Sequence, residues 1–415
     1  MLAKRSCGGD TSGMEKIAKI SVPGGVRLGS VATGVRYRGR DDLLLAEFPE
    51  GANVAGVFTR SNVQAAPVRW CRRHIGTGRA RGLLVNAGNA NACTGKQGDA
   101  AAKACARAVA GRLDCSMPEV LLASTGVIGE PLESKPLIKG IESAYGCLGG
   151  GKSRWREAAR AIMTTDTFPK VVSHRFEADG VSYVLNGIAK GSGMIAPNMA
   201  TMLAFFFTDA RISKVSLGRS LRDAVEESFH RISVDGDSST NDSVLLFATG
   251  AASEKSLSAK GLRRFGEVLR AAAGELARLI VVDGEGARKF VTIEVKGAVS
   301  KPSARRVGFA VANSPLVKTA LSGEDANWGR IAMAVGKSGE RIDAARLAIT
   351  MGGVTLARRG AAVVLGGSDK RKLARHMRAR EIHIGISLGV GKGVDEVWTC
   401  DLSHGYVSIN ANYRS

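Results

Sequence analysis

Residues 190–207 read KGSGMIAPNMATMLAFFF, and this stretch decides the fold that we expect at the centre of the chain. Glycine and proline mark its first half, whereas its second half is mostly apolar. Such an order is typical of a loop that enters a buried β-strand. Thr201 lies at the junction, directly after the small residue Ala200.

A cut between Ala200 and Thr201 would expose an N-terminal threonine. A free threonine hydroxyl is a poor nucleophile at neutral pH and needs an adjacent base. The α-amine of an N-terminal residue has a pKa of about 7.7 to 8.0, so it can take the hydroxyl proton itself. Gly191 and Gly193 permit unusual backbone angles and Pro197 fixes one, which would let the segment strain the peptide to be cut. Composition alone favours a plain loop before a strand over a cleavage site.

The sequence of this segment, together with several other motifs, favours self-cleavage. Residues 187–207 closely resemble the self-cleavage site of the ornithine acetyltransferase family, the glutamate N-acetyltransferases of arginine biosynthesis. The resemblance runs from about residue 17 to the C-terminus, and its departures, Ala87, Ala326 and Ser415, remove no reacting group. The other matching motifs are VQAAPV at 63–68, NAGNANACTG at 86–95, STGVIG at 124–129, TTDT at 164–167, SPLVKT at 314–319 and GEDANWGR at 323–330.

The resemblance implies a set of functional residues. Thr201 is the implied nucleophile and Ala200–Thr201 the implied cleavage site, while Thr125 and Gly126 are the implied oxyanion-hole donors. Such donors stabilise the negative charge that develops on a carbonyl oxygen during acyl transfer. The implied substrate contacts are Thr165, Lys190, Thr201, Glu285, Asn410 and Ser415.

Each implied residue also has an ordinary interpretation. Lys190 suits a substrate carboxylate and Glu285 a cationic ornithine side chain, but an exposed lysine and a polar loop residue have the same sequence pattern. Thr165 fits a polar loop, and Ser124-Thr125-Gly126 fits a turn. Asn410 and Ser415 fit a frayed tail.

Strand-like and helix-like segments alternate, which predicts a mixed α/β protein. The resemblance implies a layered sheet–helix sandwich of the ornithine acetyltransferase or N-terminal-nucleophile-like type, with a smaller C-terminal α/β lobe. We expect a disordered extension at 1–16, an α chain at 17–200, a β chain that completes the catalytic core at 201–282, and the C-terminal lobe at 283–415. Predicted helices are 100–113, 217–232 and 260–282, and predicted strands are 82–85, 182–185, 290–295 and 307–312.

The net charge of +21 raises nucleic-acid binding as an alternative. The basic excess is evenly spread, because the segments before and after the expected cut carry +11 and +10 by count of the sequence. Aromatic residues for base stacking are only 5% of the chain. We therefore expect no nucleic-acid partner, and a salt-dependent affinity for DNA or RNA would argue otherwise.

Metals and cofactors are not expected. The six histidines show no zinc spacing. Asp235-Gly236-Asp237 resembles the start of a calcium loop, but Thr240 stands where that motif requires glycine. Seven scattered cysteines without a C-x-x-C pair suggest reduced thiols. Because no apolar run approaches 18 residues and no secretory signal is recognisable, we expect no membrane partner and a cytoplasmic location.

The resemblance implies an acyltransferase that moves an acetyl group from N2-acetyl-L-ornithine to L-glutamate through acetyl-Thr201. Acetyl-CoA as a second donor is left open, and the two chains are expected to associate as an α2β2 heterotetramer. A rival enzyme, an N-terminal-nucleophile aminopeptidase or amidase, would share the cleavage but use water as the acceptor.

Overall fold

The computed structural model describes residues 20–196 and 202–411, and these form two β-sheets with helices packed against them. The predicted mixed α/β class is confirmed. The eight-stranded sheet consists of β1 Arg27–Val31, β2 Leu43–Phe58, β3 Arg79–Asn89, β4 Val120–Val127, β5 Lys170–Ala178, β6 Val181–Lys190, β7 Leu203–Thr208 and β8 Ser243–Ala248. The six-stranded sheet consists of β9 Phe290–Ala298, β10 Ala348–Met351, β11 Val354–Arg358, β12 Ala361–Ala362, β13 Glu381–Ser387 and β14 Gly393–Cys400.

Helices are interspersed with the strands along the chain. They are α1 Ala66–His74, α2 Gly95–Leu113, α3 Ser134–Gly146, α4 Lys152–Ala161, α5 Lys214–Glu226, α6 Ala259–Val282, α7 Lys301–Ala312, α8 Pro315–Ser322, α9 Trp328–Gly336, α10 Gly367–Arg378 and α11 His404–Asn410. In the described part of the chain, none of them is long and apolar enough to cross a membrane.

The strand order of the first sheet is β4-β3-β2-β8-β7-β6-β5, with β1 added beside β2. Strand β7 is fully buried because it has a core on each face. Phe205 and Phe207 pack into the core that α1 to α4 also line, whereas Ala204 and Phe206 pack into the core lined by α5 and α6. Burial on both faces explains why the sequence here is a continuous apolar run.

The second sheet has the order β12-β11-β10-β13-β9-β14. Its core includes Val291 and Ile293 of β9 and Val307 and Val311 of α7. The prediction of a strand at 307–312 is wrong, because these residues form the second half of α7. Ser300 caps that helix by accepting a hydrogen bond from the Ser303 N–H, and Pro302 stands in its first turn.

The other predicted elements are confirmed with shifted ends. The helices at 100–113 and 260–282 lie within α2 and α6, and the strands at 82–85, 182–185 and 290–295 lie within β3, β6 and β9. The helix predicted at 217–232 ends early, since α5 stops at Glu226 and a short 3-10 turn follows at Phe229–Arg231.

Candidate active site

The candidate site is built around the point where the chain leaves the first sheet after β6 and returns to it in β7. These strands are antiparallel neighbours, and Lys190 at the end of β6 pairs with Leu203 at the start of β7. Leu203 also pairs with Ser243, the first residue of β8. The ends of three strands thus lie side by side, and the connection from β6 to β7 contains the expected cleavage site.

Lys190 is 3% exposed, so the alternative of a surface lysine is wrong. Its Nζ lies 4.0 Å from Oδ2 of the buried Asp166. Burial lowers the pKa of the Lys190 ammonium, and the Asp166, Glu285 and Asp242 carboxyl groups oppose that shift. A substrate carboxylate beside Lys190 would likewise favour its charged form.

Asp166 ties the loop after β6 to a buried ion-pair cluster. Its Oδ1 accepts hydrogen bonds from the Gly191 N–H and from Lys170 Nζ, each at 2.7 Å. Lys170 Nζ also donates to Asp283 Oδ2 at 2.5 Å. Burial alone would raise the pKa of the Asp166 carboxyl, but the Lys170 and Lys190 ammonium groups hold it far below its usual range. The two ammonium groups therefore favour the charged form of Asp166 beside Lys190.

Glu285 is 8% exposed and faces the same loop. Its N–H donates to the Ser192 carbonyl oxygen at 2.9 Å. Its carboxylate lies against Gly193, where an added Cβ would come within 2.3 Å of Glu285 Oε2. A larger residue at this position would therefore have to displace the Glu285 carboxylate from the loop.

Asn410 is the last residue of α11, and the frayed-tail alternative is wrong for it. Its Nδ2 donates to Glu285 Oε2 at 2.8 Å. Thr165 reaches the loop from another direction, because its hydroxyl lies 2.7 Å from the Ser192 hydroxyl at hydrogen-bond distance. Thr165 and Glu285 therefore contact the loop that follows Lys190, and Asn410 is linked to it through Glu285.

The predicted oxyanion-hole pair lies at the end of β4, so the turn alternative for 124–126 is wrong. Gly126 has φ of 128°, and a Cβ there would lie 2.3 Å from the Gly88 carbonyl carbon. Such a position accepts only glycine. Thr125 is 3% exposed, and no other described residue hydrogen-bonds to its hydroxyl. That hydroxyl is available as a donor.

Asn241 and Asp242 connect this strand end with the start of β7. Asn241 Nδ2 donates to the carbonyl oxygens of Ala90, at 2.6 Å, and Ser124, at 2.8 Å. The adjacent Asp242 accepts a hydrogen bond from the Met202 N–H at 2.9 Å. The residue before Thr125 and the residue after Thr201 are thus held by two consecutive side chains.

Ala200 and Thr201 lie outside the described residues, as does Ser415. Their roles as cleavage site, nucleophile and substrate contact stay predictions. Four residues of the site were not predicted from the sequence, namely Asp166, Ser192, Asn241 and Asp242. Asp166 stands inside the TTDT motif, which was a usable signal, whereas Asn241 and Asp242 belong to no motif recognised there.

The fold and the site define a mixed α/β protein with a buried lysine, a facing glutamate and a candidate oxyanion hole around one strand connection. The sequence model of the ArgJ family matches residues 27–415. The chain therefore belongs to the ArgJ family, which confirms the resemblance to ornithine acetyltransferases.

Two relatives support the same assignment, and one solved structure is also similar to this chain. The arginine biosynthesis bifunctional protein ArgJ of Gluconobacter oxydans is 49% identical over 94% of this chain and 92% of its own length. That of Bradyrhizobium diazoefficiens is 46% identical over 98% of this chain and all of its own length. The crystal structure of the Mycobacterium tuberculosis ornithine acetyltransferase with ornithine is 38% identical, with a TM-score of 0.37, over 42% of this chain and 92% of that chain.

Proposed function

We propose that the chain cuts itself between Ala200 and Thr201, and then uses Thr201 to carry an acetyl group from N2-acetyl-L-ornithine to L-glutamate. As a member of the ArgJ family the chain is an enzyme of arginine biosynthesis. The observation that carries the proposal is the convergence of Thr165, Lys190 and Glu285 on the loop that continues towards Thr201.

Self-cleavage is an intramolecular acyl transfer followed by hydrolysis. The Thr201 hydroxyl oxygen attacks the Ala200 carbonyl carbon, its proton passes to the leaving nitrogen, and the peptide C–N bond breaks to give an ester. Water then hydrolyses the ester. The products are an Ala200 carboxylate and a Thr201 with a free hydroxyl and a free α-amine, which can act as the base in the next reaction.

Acetyl transfer repeats the same chemistry on a substrate. The Thr201 hydroxyl attacks the acetyl carbonyl carbon of acetylornithine, the bond to the ornithine nitrogen breaks, and that nitrogen receives the proton. The glutamate amine then attacks the acetyl ester and restores the hydroxyl. Each tetrahedral intermediate carries an oxyanion, for which the Thr125 hydroxyl and the Gly126 N–H are the proposed donors.

Substrate binding is assigned to two buried charges of opposite sign. Lys190 is proposed to bind a substrate carboxylate, since it projects from the end of β6 into a region with little water. Glu285 is proposed to bind the side-chain ammonium of ornithine, with Asn410 holding one of its oxygens. Thr165 and Ser415 complete the proposed contacts.

The two fragments are proposed to stay together after the cut, because β6 and β7 pair from Leu185 with Thr208 to Lys190 with Leu203 across it. Two such pairs are proposed to form an α2β2 heterotetramer in the cytoplasm. Acetyl-CoA is proposed as a second donor, because its thioester can acetylate a threonine hydroxyl by the same type of step.

The test compares acceptors in purified protein supplied with acetylornithine. We expect rapid loss of acetylornithine with stoichiometric acetylglutamate when glutamate is present, and slow loss when water is the only acceptor. Thr201→Ala should stay a single chain without transfer, whereas Thr201→Ser keeps the hydroxyl and should retain both reactions. Equal rates with and without glutamate would instead identify a hydrolase.

A further inference from the structure

The loop from Ser233 to Ser243 contacts both sides of the segment that contains the expected cut. On the upstream side, Asp235 Oδ2 accepts the Met194 N–H at 2.6 Å and Asp235 Oδ1 accepts the Ile195 N–H at 2.9 Å. The Ile195 carbonyl oxygen accepts hydrogen bonds from the Val234 N–H at 2.8 Å and from the Ser233 hydroxyl at 3.2 Å. Ile195 is therefore fixed at both its N–H and its carbonyl group.

The same loop fixes the downstream side. Asp242 Oδ1 accepts the Met202 N–H at 2.9 Å, and the Ser243 N–H donates to the Met202 carbonyl oxygen at 3.3 Å. Asp242 is fully buried, and its Oδ2 has no hydrogen-bond partner among the described residues. A buried aspartate with one unpartnered oxygen costs free energy, so packing alone does not account for it.

Building on the proposed function, we propose that the Ser233–Ser243 loop is a clamp that positions the Ala200–Thr201 bond for self-cleavage, with Asp235 and Asp242 as its positioning residues. Attack of a hydroxyl on the preceding carbonyl requires a defined approach of about 3 to 3.5 Å. A flexible connection would sample that geometry rarely. Anchoring the chain at Ile195 and at Met202 reduces the conformations that the intervening residues can adopt.

A local conformation supports the clamp. Met194 has φ of 57°, a left-handed conformation that is uncommon for residues other than glycine. The hydrogen bond from the Met194 N–H to Asp235 is the contact that holds this conformation in place. Tyr406 of α11 donates to the same Asp235 oxygen at 3.3 Å, which fixes the carboxylate from its other side.

Substitutions of the two positioning residues remove different hydrogen-bond acceptors. Asp235 accepts three N–H groups, from Met194 on Oδ2 and from Ile195 and Asp237 on Oδ1, so Asp235→Asn replaces one acceptor by a donor that faces an N–H. Asp242 accepts one N–H, so Asp242→Asn keeps the acceptor while the similarly sized Asp242→Leu removes it. Asp237 is an exposed acid in the same loop whose side chain makes no hydrogen bond to a described residue, and Asp237→Asn is the matched control.

The experiment follows cleavage of the full-length chain after pulse-labelled cell-free synthesis, at a temperature where each variant is folded by circular dichroism. We expect Asp235→Asn and Asp242→Leu to slow the appearance of the two fragments by about tenfold or more. Asp242→Asn and Asp237→Asn should be cut at the wild-type rate. If Asp242 had only a structural role, its substitution would lower the melting temperature, and the cleavage rates of folded Asp242→Asn and Asp242→Leu would not differ.

The outcomes separate the clamp from self-cleavage itself. Wild-type rates in both Asp235→Asn and Asp242→Leu would overturn the clamp, as would an equally slow Asp242→Asn. If Asp242→Leu does not fold, Asp235→Asn decides alone, because asparagine has the shape of aspartate. A wild-type chain that stays uncut would refute the proposed function instead.

Discussion

Replacing Thr125 by valine removes one hydroxyl and leaves the shape of the side chain almost unchanged. Thr125 is 3% exposed, and no other described residue hydrogen-bonds to that hydroxyl. The substitution therefore orphans no partner among the described residues and removes a polar group from a buried position in strand β4. We expect the free energy of unfolding to change by less than about 1 kcal/mol.

The effect on turnover should be much larger. Loss of one oxyanion-hole donor lowers kcat by about one hundred to one thousandfold, which corresponds to about 2.7 to 4 kcal/mol of transition-state stabilisation. The assay is acetylglutamate formation from acetylornithine, with kcat expressed per mole of cleaved enzyme. This normalisation excludes any effect of Thr125→Val on cleavage.

Ser124→Ala is the matched control at the neighbouring position. The Ser124 hydroxyl donates to Asn86 Oδ1 at 2.5 Å, so its removal leaves a buried acceptor unpaired and should destabilise the fold by about 1 to 3 kcal/mol. Its turnover per folded, cleaved enzyme should stay near the wild-type value. Thr125→Val with a wild-type kcat, or Ser124→Ala with the larger loss of kcat, would refute the assignment of Thr125 to the oxyanion hole.

Three further predictions address the surroundings of the site. Deleting Asn412–Ser415 should raise KM for acetylornithine and leave cleavage intact, and identical kinetics for both proteins would remove Ser415 from the site. Lys170→Met leaves Asp166 and Asp283 without their shared counter-charge, so urea unfolding should show a loss of about 3 to 5 kcal/mol; a smaller change would mean that the two carboxyl groups become protonated. Burial raises the pKa of Asp242 well above its usual range, so the folded state keeps a proton that the unfolded chain releases. Wild type should therefore lose stability relative to Asp242→Asn as the pH rises above about 4, the usual pKa of an aspartate, and a constant difference in unfolding free energy would contradict this.

Periodicity predicted the long helices well but failed where a capping signal competes with a strand-like pattern. Helix α6 was found almost to its ends because its apolar spacing is helical over 24 residues. Residues 307–312 are apolar without clear alternation, and the signals for a helix there are Ser300 and Pro302, several residues upstream. A prediction made from residues 307–312 alone does not include Ser300 and Pro302.

The resemblance identified the side chains that face the loop after β6, but it did not give their surroundings. Asp166 reaches Lys190 only because β5 and β6 pair in register, and Asp283 joins them from the end of α6. Asp235 was noted only as part of an incomplete calcium motif. In the folded chain both of its oxygens accept backbone N–H groups, which a one-dimensional motif cannot express.

The central claim is that Thr201 becomes an N-terminal nucleophile that carries the acetyl group. Mass spectrometry of the intact purified protein, before and after brief exposure to N-acetylornithine without glutamate, tests it most directly. We predict two fragments that divide at Ala200–Thr201, with the mass of one acetyl group added to Thr201 and lost again when glutamate is supplied. A single uncut chain with full transferase activity, or an acetyl group on a residue other than Thr201, would contradict the account.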